Sequence, residues 1–225
     1  PPMKQRNIII FENKKDYIRK IKKTIGSKKS LKLIFLNTKN LKNINKYIDK
    51  ADALINIPRN VFNKDLILKS KSLKWVHIGG AGIETFLFKE FVNSKILFTN
   101  GKILQGPSVS DHAIALLLLF TRNIYGQINN LKFNKLVRPT ELRGKVCGVF
   151  GLGGIGQLVA EKLHSFGMEI IGFNDQLIPY SYIYKDILFF NNLQNQLKKL
   201  DVLICCAPLT NETKNFFNEK IFRKM

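Results

Sequence analysis

The stretch Val146-Cys147-Gly148-Val149-Phe150-Gly151-Leu152-Gly153-Gly154-Ile155-Gly156 decides the fold of this 225-residue chain. Its first five residues read as a buried strand. The glycines then open a run in which Ile155, Val159, Leu163 and Phe166 recur at helical spacing, predicting a helix from Ile155 to about Phe166 with that stripe on the sheet. Gly167 supplies the stop, and Glu169-Ile170-Ile171-Gly172-Phe173 reads as a second strand. A G-x-G-x-x-G placed inside such a βαβ unit predicts a turn that cradles a dinucleotide pyrophosphate. Gly151 permits the tight strand-to-helix turn, and Gly153 keeps side chains away from the phosphates. Gly156 lets the helix pack closely. The helix N-terminus, with Gly154 before it and Ile155 at its start, then offers peptide N–H groups and a partial positive charge.

Upstream, short apolar runs at Asn7–Phe11, Leu33–Leu36, Ala53–Ile57, Trp75–Ile78 and Ile96–Thr99 read as strands. Helical patterns lie between them at Lys15–Ile25, Leu41–Ile48 and Val61–Leu68, so βαβ units and a parallel sheet are expected here too. Ser108-Val109-Ser110-Asp111 has the spacing of a capping box and predicts the start of an apolar helix reaching Ile124. Gly126–Gly144 is polar and reads as a connection. Downstream, a helix over Leu193–Leu200 precedes a strand over Asp201–Cys206.

The longest apolar run, Ala113–Phe120, falls well short of the roughly 20 residues that span a bilayer, and no secretory cleavage pattern follows the N-terminus. The cysteines Cys147, Cys205 and Cys206 fall in strand-like segments with no disulfide or C-x-x-C spacing, which predicts buried thiols in a reducing, cytoplasmic compartment. With 37 Lys+Arg against 16 Asp+Glu the net charge is +21, but the excess is mostly lysine dispersed among asparagines. Nucleic-acid readers concentrate arginine and aromatics on one element, so the charge reads as a solvated surface that attracts anions, with neither nucleic acid nor membrane as partner. His77, His112 and His164 lack metal-ligand spacing and read as structural.

At the end of the second strand of the βαβ unit, an acid that bonds the ribose hydroxyls selects NAD, and its charge repels the 2′-phosphate of NADP. Asn174 stands at the usual place and Asp175 one residue beyond, with no basic residue following. This favours NAD, with NADP as the alternative.

Several further blocks resemble the D-isomer-specific 2-hydroxyacid dehydrogenases: Lys74-Trp75-Val76-His77-Ile78-Gly79-Gly80-Ala81-Gly82-Ile83-Glu84, Thr99-Asn100-Gly101, Ser108–His112, Glu141–Lys145 leading into the glycine turn, and Asp201-Val202 through Ala207-Pro208-Leu209-Thr210-Asn211-Glu212-Thr213. The resemblance runs from about Leu73 to Met225. It implies an α/β protein with two doubly wound parallel-sheet domains: a flavodoxin-like substrate domain over 1–107, an interdomain helix over 108–125, and an incomplete Rossmann NAD-binding domain over 126–225. It further implies that backbone amides around Gly80, Ala81 and Gly82 hold the substrate carboxylate and that Val109 lies near the nicotinamide. Ala207, Pro208 and Thr213 would border the adenosine and phosphates.

The implied reaction reduces a 2-keto acid to a D-2-hydroxy acid, with the nicotinamide in a cleft between the domains, in a protein expected to be a homodimer through its apolar helix. The family's catalytic arginine, glutamate and histidine fall beyond the position matching Met225. The 225 residues therefore read as a fragment that binds cofactor without turnover, an impression strengthened by the unusual opening Pro1-Pro2-Met3. The alternative implied by the same fold is a non-enzymatic, NAD(H)-sensing protein of the corepressor kind.

Overall fold

A computed structural model describes residues 5–26, 28–39, 41–128, 138–176, 178–179 and 181–225. The opening Pro1-Pro2-Met3 and positions 129–137 of the polar connection lie outside the described residues. The chain divides into two compact units, Pro1–Lys102 and Ile103–Met225.

In the first unit, strands β1 (Arg6–Phe11), β2 (Leu31–Leu36), β3 (Ala53–Ile55), β4 (Trp75–Ile78) and β5 (Leu97–Asn100) form one parallel sheet in the order β2-β1-β3-β4-β5. All five expected strands form, and the order is that of a flavodoxin-like sheet. Helix α1 (Lys15–Ile25) occupies its expected span, yet none of its residues is buried. The segment expected as a helix from Leu41 winds as two 3-10 turns, Leu41–Lys46 and Ile48–Lys50. Helix α2 is shorter than its apolar pattern, Lys64–Lys69, because the Asn63 side chain accepts from Leu66 N and caps it there. Helix α3 (Lys89–Val92) and a 3-10 turn at Glu84–Phe86, too short to show a period, lie between β4 and β5. The core gathers Ile9, Phe11, Leu54, Val76 and Ile78 against Phe62, Phe86 and Phe91.

The second unit begins with α4 (Gly106–Thr121) and α5 (Ile124–Ile128). Its sheet holds β6 (Val146–Phe150), β7 (Glu169–Asn174), β8 (Asp186–Phe189) and β9 (Val202–Cys205), all parallel, in the order β8-β7-β6-β9. That is the 3-2-1-4 arrangement of a Rossmann sheet. Helix α6 (Gly154–Ser165) joins β6 to β7, α7 (Leu193–Gln196) precedes β9, and α8 (Glu219–Phe222) follows it. Alternation along the strands buries both faces, as a doubly wound sheet requires. Cys147, Val149 and Ile170 meet Ile114, Val159 and Leu163 of α4 and α6, while Phe150, Ile171 and Phe173 meet Leu193, Leu197 and Ile221.

Three local expectations are corrected. The helix expected from Ser108 starts at Gly106, with Gln105 as an N-cap that makes no side-chain hydrogen bond and Pro107 in the first turn. Ser110 Oγ instead donates to Pro107 O at 2.8 Å, and Asp111 pairs with Lys162 of α6, which also donates to Ser110 Oγ at 2.7 Å. A proline in the first turn suits a helix start without a side-chain cap. Phe166, expected in the buried stripe of α6, is 45% exposed because the helix ends before it. Gly167 stops the helix as expected, at φ +79°, with Met168 N donating to Leu163 O. Cys205 is exposed, because β9 is the edge of the four-stranded sheet.

Tyr184 is buried against α6 and Gly172, and its hydroxyl finds no partner among the described residues. Burial first, and the Glu161 carboxylate second, push it up to about 12. Because the folded pKa lies above the ordinary value of 10.0, the neutral phenol leaves stability independent of pH below 10, and stability falls as pH rises from 10 towards 12, where the unfolded chain ionises first. A buried unpaired hydroxyl costs about 1–3 kcal/mol. Tyr184→Phe should therefore be at least as stable as the parent in urea unfolding at pH 7, with Tm higher by about 2–4 °C. The alkaline loss should be smaller in the variant.

Candidate functional site

Two clusters form at the carboxyl ends of strands, one in each unit. In the second unit the chain leaves β6 at Gly151, whose φ of +95° suits glycine, and whose N–H donates to Phe173 O at 2.7 Å. A Cβ on Gly151 would stand 2.5 Å from Ala207 N, so the turn after β6 lies directly against the loop after β9. These two strands are where the winding direction of the sheet reverses, the place where open α/β sheets take ligands. Leu152, 2% exposed, drops into the core over Gly172 and anchors the turn from below.

The glycines divide their work. A Cβ on Gly156 would fall 1.8 Å from Gly151 O, so this residue lets the first turn of α6 sit on the turn that precedes it. Gly153 is the N-cap of α6, makes no side-chain cap, and has nothing within 4 Å of where a Cβ would stand. Gly154 has only Ile103 nearby, at 3.9 Å. The approach to the helix N-terminus over Gly153, Gly154 and Ile155 is therefore clear on this unit. Gly106, the first residue of α4, lies close to Gly154 O and Leu158, which brings α4 beside the turn; Val109, one turn further, is 41% exposed.

Asn174 ends β7. Its Oδ1 accepts from Leu152 N at 3.1 Å and its Nδ2 donates to Gln176 O at 2.9 Å, so both polar atoms of its side chain brace backbone. Asp175 follows with an exposed side chain. After β9, Thr213 Oγ1 donates to Pro208 O at 2.6 Å and accepts from Thr210 N at 2.8 Å, so Thr213 shapes the Pro208–Thr213 loop from within. Burial pushes the Cys147 thiol up to about 12 and Cys206, beside Gly156, up to about 11, so neither is a thiolate at neutral pH.

In the first unit the loop after β4 is held by three side chains and one backbone N–H. Asn56, at φ +55° just past β3, accepts from Gly79 N at 2.8 Å through Oδ1. Asn100 Nδ2, at the end of β5, donates to Ala81 O at 2.8 Å, and Arg59 Nη2 donates to Gly82 O at 3.2 Å. Gly101 N donates to Ile78 O and to Gly80 O. The carbonyls of Gly80, Ala81 and Gly82 are thus all engaged, while among the described residues no acceptor meets their N–H groups. A run of unpaired peptide N–H groups is an anion-binding concavity. Asn56 and Arg59 were not singled out from sequence, and Asn100 entered only within the block Thr99-Asn100-Gly101, since polar residues after strands carry no periodic signal.

His77 is accounted for by structure: its Nδ1 pairs with Thr99 Oγ1 at 2.9 Å, which also accepts from Trp75 Nε1 at 2.9 Å. Among the described residues no group of His, Cys, Asp and Glu could hold a metal ion, and no helix is long and apolar enough to cross a membrane.

Comparison with known proteins fits this geometry. Residues 114–225 match the family described as D-isomer specific 2-hydroxyacid dehydrogenase, NAD binding domain. The chain is 29% identical over 188 residues to a hydroxypyruvate reductase of Thermotoga maritima, covering 80% of this chain and 59% of that protein. It is also 29% identical over 178 residues to a D-3-phosphoglycerate dehydrogenase of Methanocaldococcus jannaschii, covering 77% of this chain and 34% of that protein. The chain therefore spans between a third and three fifths of the length of these relatives. A solved D-isomer specific 2-hydroxyacid dehydrogenase family protein from Aeromonas salmonicida shares the fold, at TM-score 0.78 and 23% identity over 93% of this chain and 66% of that one.

The steric division of the glycines is open to direct measurement. Gly156→Ala, which forces a methyl group onto Gly151 O, should lower unfolding stability by about 3 kcal/mol. Gly153→Ala, facing open space, should cost about 1 kcal/mol or less. Equal losses in urea unfolding would contradict it.

Proposed function

The chain belongs to the D-isomer-specific 2-hydroxyacid dehydrogenase family, and on that premise we propose that it carries the NAD site and the substrate-carboxylate loop of a dehydrogenase interconverting 2-keto and D-2-hydroxy acids. The observation that carries this reading is the uncapped, sterically clear N-terminus of α6 at the reversal point between β6 and β9. The peptide N–H groups of Gly153, Gly154 and Ile155, with the positive end of the helix dipole, would hold the pyrophosphate. Gly151 and Gly156 shape the turn, Ala207 and Pro208 border it, and Thr213 keeps their loop folded. Asn174 is committed to bracing Leu152, so we assign the ribose hydroxyls to Asp175, whose charge also disfavours the 2′-phosphate of NADP. We assign Val109 a place beside the nicotinamide.

Bound NAD supplies the hydride acceptor or donor. The contribution of these residues is binding and orientation: the α6 N-terminus fixes the phosphates, and the free N–H groups of Gly80, Ala81 and Gly82 fix the carboxylate of a 2-keto or 2-hydroxy acid. Proton transfer to and from the substrate oxygen needs a positioned acid-base pair, and we assign none of residues 1–225 to that role. The apolar helix supports a homodimer reading. Leu116 is 44% and Phe120 70% exposed on α4, whose other side buries Ile114, and an exposed apolar stripe of this kind suits a second copy of the chain.

Calorimetric titration of the full chain tests the cofactor assignment. NADH should bind more tightly than NADPH, and Gly153→Ala should weaken NADH at least about tenfold, as expected when a phosphate loses close backbone hydrogen bonds. Asp175→Ala should weaken NADH and narrow its lead over NADPH; a parent chain that prefers NADPH overturns the assignment. Sedimentation equilibrium checks the dimer: Phe120→Glu should give monomers at concentrations where the parent is dimeric, and a monomeric parent refutes it.

A further inference from the structure

Lys162 on α6 is bound to the N-terminal end of α4 by three groups at once. Its Nζ donates to Ser110 Oγ at 2.7 Å and to Pro107 O at 3.4 Å, and it pairs with the Asp111 carboxylate. An ammonium has three N–H donors, so all of them are engaged on α4. Ser110 is 0% exposed and donates its own hydroxyl proton to Pro107 O at 2.8 Å. A cation beside a helix N-terminus opposes the helix dipole, so these acceptors are what hold it there. From Ile114 onwards α4 shares an apolar core with Val159 and Leu163 of α6. Among the described residues, 106–109 add no side chain to that core. At that end Gly106 lies close to Leu158 and Gly154 O, and the Lys162 bonds supply the polar fastening. Val109 N donates to Gln105 O at 2.9 Å, so Val109 moves with this turn.

We infer that Lys162 is a positioning residue for the nicotinamide: it fastens the first turn of α4 to α6 and thereby sets where Val109 meets the cofactor, without touching the cofactor itself. The inference rests on the proposal that Val109 lies beside the nicotinamide. Lys162 stands about two turns along α6 from its N-terminus, and its donors are spent on Pro107, Ser110 and Asp111, which leaves none for the pyrophosphate. The Asp111 side chain is 72% exposed, and an ion pair of that kind adds little to stability by itself. The weight of the contact falls on where the turn sits. Val109 is 41% exposed and adjoins Ser110 in the chain, so a shift of the turn moves the surface it offers to a ligand.

The test is calorimetric titration of the full chain with NADH and with ADP-ribose, which carries the adenosine, pyrophosphate and both riboses but lacks the nicotinamide. The parent should bind NADH roughly tenfold more tightly, the ratio expected of one apolar ring face buried on the protein. Val109→Ala should narrow that lead. Lys162→Met, which keeps the apolar stem and removes the ammonium, should bring the ratio towards one while ADP-ribose binds as it does to the parent. Lys162→Arg should keep most of the ratio. Lys185→Gln, which removes a charge paired with Glu169 elsewhere on this unit, should leave it in place. A ratio that Val109→Ala lowers and Lys162→Met does not overturns the inference and leaves the Val109 assignment standing. An equal loss of both ligands in Lys162→Met marks a purely structural lysine and also overturns it, as does the same fall in Lys162→Arg or Lys185→Gln. A parent ratio near one, or a ratio that Val109→Ala leaves unchanged, overturns the Val109 assignment and Lys162 falls with it. If neither ligand binds the parent, the pyrophosphate assignment fails and takes both with it.

Discussion

The second unit depends on one steric constraint: the carbonyl of Gly151 occupies the space that a side chain at position 156 would need. That contact sets the first turn of α6 directly on the end of β6. The same turn touches the loop after β9, with Ala207 N at 2.5 Å from a Cβ position on Gly151. A methyl group at either position would lift the helix from the sheet and separate the two loops. Leu152, buried over Gly172, and Asn174, bonded to Leu152 N, hold the turn from beneath and from the side. The result is a helix N-terminus with free donors and no side chain over it, the local chemistry that an anionic pyrophosphate needs.

The first unit reaches a similar result by hydrogen bonding. In the loop after β4 every carbonyl from Gly80 to Gly82 is claimed by a donor: Gly101 N, Asn100 Nδ2 or Arg59 Nη2. Fixing the carbonyls fixes the peptide planes and leaves the N–H groups for an anion. The donors come from the ends of β3 and β5, so the loop owes its conformation to strands that flank it in the sheet rather than to its own sequence.

Both sheets also use the same clamp at their amino ends. Asp52, before β3, accepts from Asn7 N at 2.9 Å and pairs with Arg6 at 2.9 Å. Asp201, before β9, accepts from Val146 N at 2.9 Å and pairs with Lys145 at 3.1 Å. The Val146 N–H, more than the lysine, holds the Asp201 carboxyl below its ordinary range. In each unit an aspartate just before one strand thus fixes the start of the strand beside it, β1 or β6, leaving the carboxyl ends to carry the loops described above. The exposed ion pairs add little to stability by themselves; they matter for where the strands begin.

Much was legible in the amino-acid sequence. Apolar runs set all five strands of the first sheet, and glycine spacing at 151, 153 and 156 located the tight turn between β6 and α6, because steric exclusion at a glycine is a property of the residue itself. Short elements such as β8, α3 and α8 carry too few residues to show a period, so only contact with the core reveals them. Tertiary structure alone decided the start of α4, where Lys162 from α6 draws Ser110 and Asp111 into the helix and sets aside the capping-box reading. It also gave the Asn174 side chain a bracing role on Leu152, and gathered Asn56, Arg59 and Asn100 around the loop from Gly79 to Gly82. Those roles depend on which strand lies beside which, and hydrogen bonds between residues distant in the chain leave no local trace in the order of its residues.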